Sequence, residues 1–276
     1  MTATTTSPAA ASASNTAASE SAAHAGKTFR VRIKRQDGPD TPAYWHSFDV
    51  PYRPNLNIIS VLQEIVANPV TTAGEQARPP VWEANCLEEV CGACTMLING
   101  HVRQSCSCLL DDVLGDDNTV TLEPMTKFPV VRDLAVDRQR MFDTLKKIKA
   151  WVPIDGTHHI GPGPMESPDQ QSMRYALSRC MTCGCCVEAC PQYTKDNNFV
   201  GPAAIAQSLL FNLHETGKKA APDRLDVMMG PGGITDCGNA QNCVKVCPKE
   251  VPITEAIAHI GRQTTVHSIK KFFTGK

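Results

Sequence analysis

The segment CMTCGCCVEACP, Cys180–Pro191, decides how the rest of the chain is read. Cys180, Cys183, Cys186 and Cys190 stand at C-x2-C-x2-C-x3-C, and Pro191 follows directly. At that spacing three thiolates hold one iron–sulfur cluster and the fourth reaches over to another. Two-residue gaps wrap a tight loop, so three sulfurs converge while backbone N–H groups face the cluster. The three-residue step carries Cys190 away on a helical turn, and Pro191 stops that turn from continuing. Paired C-x2-C steps also suit tetrahedral zinc. Four cysteines and a proline at these intervals favour iron and sulfide. Cys185 is the spare thiol of the run and reads as a small buried packing residue.

Downstream, Cys237, Cys243 and Cys247-Pro248 repeat the pattern with one member missing, because Ala240 stands where the middle cysteine would be. Alanine cannot ligate iron. The crossed connectivity of a dicluster ferredoxin then groups Cys190, Cys237 and Cys243 at one site and sends Cys247 back to Cys180, Cys183 and Cys186. A three-thiolate site suits a 3Fe–4S cluster, which lacks one corner.

Upstream, Cys86, Cys91 and Cys94 form C-x4-C-x2-C, with Cys106 or Cys108 as a fourth ligand. This is the plant-type 2Fe–2S spacing. Gly92 and Ala93 carry almost no side chain, so the backbone can close on the cluster and present its amides, which raises the potential. Asn99-Gly100 is a type I′ hairpin signal that folds the fourth thiolate back toward the first three. Read as one strand, Cys106 and Cys108 share a face, so periodicity does not choose between them.

The elements around these loops set the fold class. Lys27–Gln36 alternates Phe29, Val31 and Ile33 with basic residues, and Tyr44–Val50 reads as its hairpin partner. Ile58, Val61, Leu62, Ile65 and Val66 form a helical stripe ended by Asn68-Pro69. Asn118–Glu123 completes a sheet that grasps this helix. The expectation is an α+β chain: a β-grasp 2Fe–2S ferredoxin domain at residues 27–136 and a helical dicluster domain at 137–276. PVVRDLAVD, 129–137, joins the two. Met141, Phe142, Leu145 and Ile148 predict a helical stripe after the join. Arg138, Arg140, Lys146, Lys147 and Lys149 read as its solvated face rather than a docking surface. Gln170–Arg179 delivers Cys180. Pro202 suits the first turn of a helix with Ile205, Leu209 and Leu213 inward, and Gly230–Gly233 is a turn. Thr254–Lys276 reads as a helix and a polar tail, its lysines and histidines without assigned chemistry. The pair His158-His159 lacks a third ligand nearby and reads as surface.

Thirteen cysteines in metal-ligand spacing favour bound metal in a reducing compartment over a disulfide framework. A formal charge of −1 argues against nucleic acid as a partner. Residues 1–26 are mostly Ala, Ser and Thr and read as a flexible tail without a secretory signal. No stretch approaches the ~20 apolar residues of a membrane span, so the chain reads as soluble, reaching a membrane only through partners.

Together, the plant-type motif, the VVRDLAVD join and the crossed repeat with its degraded second half resemble the iron–sulfur subunit of succinate dehydrogenase and fumarate reductase. The likeness runs over roughly Lys27–Lys276 and rests on eleven ligand positions jointly. It implies 2Fe–2S on Cys86, Cys91, Cys94 and Cys106, since the family gap favours Cys106. It implies 4Fe–4S on Cys180, Cys183, Cys186 and Cys247, and 3Fe–4S on Cys190, Cys237 and Cys243. It further implies electrons passing from the FAD of a flavoprotein subunit through these clusters to a quinone at a membrane-anchor subunit. The place implied is the cytoplasmic face of a bacterial plasma membrane. No flavin fingerprint or substrate-binding arginine set is present, so the dicarboxylate chemistry belongs to another subunit. Pro191 matches the family's quinone-pocket proline. A tryptophan found a few residues after it in some members is absent from Pro191–Lys195, and Gly238 replaces a histidine. That departure points to a different anchor, one serving menaquinone. The rival readings are a fumarate reductase subunit, the iron–sulfur subunit of another quinone- or thiol-linked flavin oxidoreductase, and a zinc-stabilised interaction module.

Overall fold

The computed structural model describes residues 26–153 and 165–275. The expected tail, apart from Gly26, and the His158-His159 pair lie outside them. β1 (Thr28–Arg35) pairs antiparallel with β2 (Tyr44–Pro51), setting Phe29 opposite Val50 and Val31 opposite Phe48. The period-2 alternation of β1 sends Phe29, Val31 and Ile33 into the core. α1 (Ile58–Ala67) crosses that face, its first turn capped by Asn57 Oδ1, which accepts from Ser60 N at 2.8 Å. Ile58, Val61, Leu62 and Ile65 bury the predicted stripe, and each full burial is worth about 1.5–3 kcal/mol. β3 (Thr95–Ile98) and β4 (His101–Gln104) meet at Asn99 and Gly100, whose φ values of 50° and 76° fit the type I′ turn. β5 (Thr119–Glu123) runs parallel to β1 and antiparallel to β3, so the sheet order is β2-β1-β5-β3-β4.

The join folds into a small hairpin of β6 (Val130–Arg132) and β7 (Ala135–Val136). At its turn, Asp133 adopts φ 48° and enters a fully buried ion pair with Arg35 (Nε to Oδ1, 2.8 Å). The pair is well satisfied. Asp133 also accepts from Gln36 N and Val81 N, and Arg35 donates to Arg78 O at 3.0 Å.

Beyond it come α2 (Gln139–Lys147), α3 (Pro168–Ser178) and α4 (Cys185–Glu188). α5 (Pro202–Leu213) begins on Pro202 as expected. α6 (Ala221–Met229), α7 (Asn242–Lys245) and α8 (Ile253–Thr274) complete the chain, with short 3-10 turns at Gly217–Ala220 and Ile234–Asp236. The small residues Ala203, Ala204 and Ala206 belong to one core with Ala256 and Ile260 of α8, so these two helices can approach closely. The carboxylate of Glu188 accepts from Thr126 N (2.8 Å) and Lys127 N (3.0 Å), tying the helical half to the loop after β5. Among the described residues, no helix is long and apolar enough to cross a membrane.

The structure corrects four expectations. Phe142 is 47% exposed, while Met141 and Ile148 are buried, so α2 shows the core a narrower stripe than predicted. Arg138 and Arg140 are not on a solvated face; both reach into loops of the candidate site. Cys106 and Cys108 do not stand on a strand, because β4 ends at Gln104. The segment expected to end in a polar tail is helical from Ile253 through Thr274, held to α6 where Asp226 meets His267 (3.0 Å) and Lys271 (2.8 Å).

Candidate iron–sulfur centres

The first cysteine loop places Leu87, Glu89 and Gly92 at φ 61°, 58° and 73° among ordinary residues. That alternation turns successive backbone N–H groups toward a common centre, as anion-binding nests do. Cys86 Sγ accepts from Val90 N and Cys91 N, both at 3.3 Å, and from Glu88 N at 3.5 Å. These donors, Glu88 first, bring its thiol down to about 7. Cys91 Sγ accepts from Ala93 N at 3.4 Å. After β4, the chain turns back so that Ser105 N and Oγ both donate to Cys94 O. Cys94 and Cys106 then share a small buried cluster with Ile59. Burial first, with the neighbouring Cys106 adding to it, pushes the Cys94 thiol up to about 12. Cys108 lies in the core between sheet and helix instead, where Arg103 Nη1 donates to its sulfur at 3.5 Å. Of the two candidates, Cys106 is the one beside Cys94.

The helical half shows its repeat in the backbone. Thr182 and Gly184 have φ 53° and 92°, and Asn239 and Gln241, at the equivalent places, have φ 52° and 60°. Gly184 and Gln241 each precede a single helical turn, α4 and α7. Each turn lines a cavity. One is lined by Cys180, Cys183, Cys186 and Cys247, with the spare thiol Cys185 also on its wall. The other is lined by Cys190, Cys237 and Cys243, with Ala240 and Pro191. The cysteines thus divide by the crossed pattern and not by their order in the chain.

The chemistry of these donors suits a cationic inorganic group. Burial pushes the thiols of Cys186, Cys180 and Cys243 up, so thiolates there need a positive partner, which iron supplies. Cys183 is the exception, brought down to about 7 first by its hydrogen bond with Cys185. Cys185 is fully buried, as expected of the spare thiol, and its own acidity is correspondingly weakened. Among the described residues, no three His, Cys, Asp or Glu side chains are placed to hold a single metal ion. The thiols instead gather in groups around the two cavities.

Residues that spacing did not reveal bind the centres together. Gln104 is buried and donates through Nε2 to Thr95 Oγ1 (2.6 Å) and to Cys185 Sγ (3.5 Å), bridging the first and second loops. Arg138 donates to Gly92 O (2.7 Å) and pairs with Glu83 (3.0 Å). Arg140 lies 4.0 Å over the Tyr193 ring and donates to Thr194 O and Asn197 O, both at 2.5 Å. It thereby holds the loop that follows Cys190-Pro191. The only sequence signal for these roles is the concentration of arginine where the join enters α2.

A β-grasp cysteine loop abutting a crossed pair of cysteine-lined cavities defines a multicentre iron–sulfur electron-transfer protein. Residues 30–143 match the 2Fe–2S iron–sulfur cluster binding domain family, and residues 176–251 match the 4Fe–4S dicluster domain family. The chain is 52% identical over 247 residues to the succinate dehydrogenase iron–sulfur subunit of Bacillus subtilis, covering 90% of this chain and 96% of that one. It is 35% identical over 194 residues to the fumarate reductase iron–sulfur subunit of Mycobacterium tuberculosis, covering 68% and 75%. A structure of the Mycobacterium smegmatis Sdh1 complex in the apo form contains a chain that shares the fold, with a TM-score of 0.73 at 22% identity, covering 86% and 95%. The chain belongs to the family of succinate dehydrogenase and fumarate reductase iron–sulfur subunits. As such it is the electron-transfer component of an oxidoreductase complex and carries 2Fe–2S, 4Fe–4S and 3Fe–4S clusters. Membership of that complex gives it flavoprotein and membrane-anchor partners.

Proposed function

We propose that Cys86, Cys91, Cys94 and Cys106 hold the 2Fe–2S cluster, Cys180, Cys183, Cys186 and Cys247 the 4Fe–4S cluster, and Cys190, Cys237 and Cys243 the 3Fe–4S cluster. The supporting observation is that Cys247 shares one cavity with Cys180, Cys183 and Cys186, Cys185 also lining it, whereas Cys190 shares the other with Cys237, Cys243 and Ala240. When bound, these clusters supply one-electron carriers between a flavin and a quinone. The first domain ends at Val136 and the second begins at Asp137, at the end of the hairpin that gives Leu134 to the first core and Val136 to the second.

Pro191, Gln192 and Gly238 also line the three-thiol cavity, and we place the quinone at this lip. A Cβ on Gly238 would stand 2.6 Å from Gln192 Nε2, so the glutamine takes the room a larger side chain would use. Tyr193 is buried under Arg140 and does not offer a replacement for the absent tryptophan. Gln192 therefore supplies the polar group at this lip, with Pro191 beside it. On this reading the acceptor is a menaquinone and the complex faces the cytoplasm. The test is succinate-driven reduction of naphthoquinone and benzoquinone acceptors by the purified complex. The reading predicts that Gln192→Ala raises KM for the naphthoquinone severalfold while all three cluster signals remain. An unchanged KM removes Gln192 from the quinone site.

A further inference from the structure

We infer that Arg138 is a positioning residue that sets the redox potential of the first centre through one peptide unit. This rests on the ligand assignment proposed above. The unit is Gly92–Ala93. Its carbonyl, Gly92 O, accepts from Arg138 Nη1 at 2.7 Å and from Thr95 Oγ1 at 2.8 Å. Its N–H, on Ala93, points the opposite way, as a trans peptide requires, and donates to Cys91 Sγ at 3.4 Å. A cation on the carbonyl end of a peptide polarises its N–H, so the bond to sulfur strengthens. Hydrogen bonds to cluster sulfurs and nearby positive charge both favour the reduced, more negative state and raise the potential.

The charge is well placed for this. Arg138 also donates to Ala93 O at 3.4 Å, and its side chain is only 14% exposed, so solvent screens it little. The other charges on the first loop and its approach, Glu83, Glu88 and Glu89, are acidic. Glu83 alone of these pairs with Arg138 and partly offsets it. On the far side of the same glycine, a Cβ would lie 2.7 Å from Cys183 Cα, so the guanidinium is anchored where the first and second cysteine loops touch. The residue that follows the join thus carries the cation that adjusts the step between their centres.

The test is an electron paramagnetic resonance redox titration of the cluster-loaded complex. Arg138→Gln should shift the first centre to lower potential while the third centre stays in place. Arg138→Lys keeps the charge but not the forked contact and should shift it less. Glu83→Gln should shift it upward, the opposite sign. A purely mechanical clamp predicts the same direction for Arg138→Gln and Glu83→Gln, and that result overturns the inference. So does an unchanged potential in Arg138→Gln at full 2Fe–2S content. If Arg138→Gln loses the cluster, the upward shift in Glu83→Gln carries the test, and its absence overturns the inference. Wild-type protein without a 2Fe–2S signal would instead overturn the ligand assignment.

Discussion

Gly92 lies against Cys183 so closely that a Cβ on the glycine would sit 2.7 Å from both the Cα and the Cβ of the cysteine. One residue belongs to the first cysteine loop and the other to the second, so the two halves meet directly here. Gly92 also has φ 73°, so a side chain is disfavoured twice. Gly92→Ala should cost roughly 1–3 kcal/mol from overpacking and separate the loops. The check is thermal unfolding together with the magnetic interaction between the first and second centres. Full stability with unaltered spectra would show that the contact is slack.

Ala240 stands with Cys190, Cys237 and Cys243 in the three-thiol cavity, where the sister loop has Cys183. Ala240→Cys should convert that centre to 4Fe–4S, abolishing the oxidised 3Fe–4S signal and lowering the potential. Persistence of the signal in the variant would break the ligand map.

Cys106 sits with Cys94, whereas Cys108 is packed in the sheet–helix core and Cys185 is buried beside Gln104. Cys106→Ser should therefore lose or strongly perturb the 2Fe–2S signal. Cys108→Ser and Cys185→Ser should retain all three centres. Cluster loss in either of the latter pair would exchange a ligand for a bystander.

Removing one side of the buried Arg35–Asp133 pair leaves a charge without its partner in the core. Asp133→Ala should destabilise the protein by about 3–5 kcal/mol, measured by denaturant unfolding of the cluster-loaded chain. A loss below about 1 kcal/mol, the range of surface pairs, would mean that water reaches the site.

In cluster-free protein, three backbone donors bring the Cys86 thiol to about 7, below its ordinary value. The thiolate is the nucleophile and forms above the pKa. Alkylation of Cys86 should thus rise through neutral pH, while Cys186, whose thiol burial pushes up, reacts only at much higher pH. Peptide mapping after pulsed iodoacetamide reads both. Cluster loading should protect Cys86.

The grouping of the cysteines around the two cavities was legible because ligand spacing is local: thiols two or three residues apart are brought to one loop whatever surrounds them. Ala240 was legible for the same reason, as a gap in a repeat. The β-grasp order followed from the period-2 alternation of β1 and the stripe of α1, since both faces are fixed by burial. Periodicity failed where elements are short. α2 spans nine residues, so Phe142 could fall outside the core. β4 stops at Gln104, so strand alternation said nothing about Cys106 and Cys108. Arg138 and Arg140 were misread because a helical pattern ranks arginine by its polar face. Their partners are backbone carbonyls of Gly92, Thr194 and Asn197, and the pattern carries no record of such contacts across the chain.

The most direct measurement is iron, acid-labile sulfide and zinc content together with paramagnetic resonance of the purified complex, oxidised and dithionite-reduced. The account predicts about nine iron atoms and ten sulfides per chain, the sum of the three clusters, with a 3Fe–4S signal when oxidised and a 2Fe–2S signal when reduced. Stoichiometric zinc without sulfide, or a third centre with no oxidised 3Fe–4S signal, would contradict it.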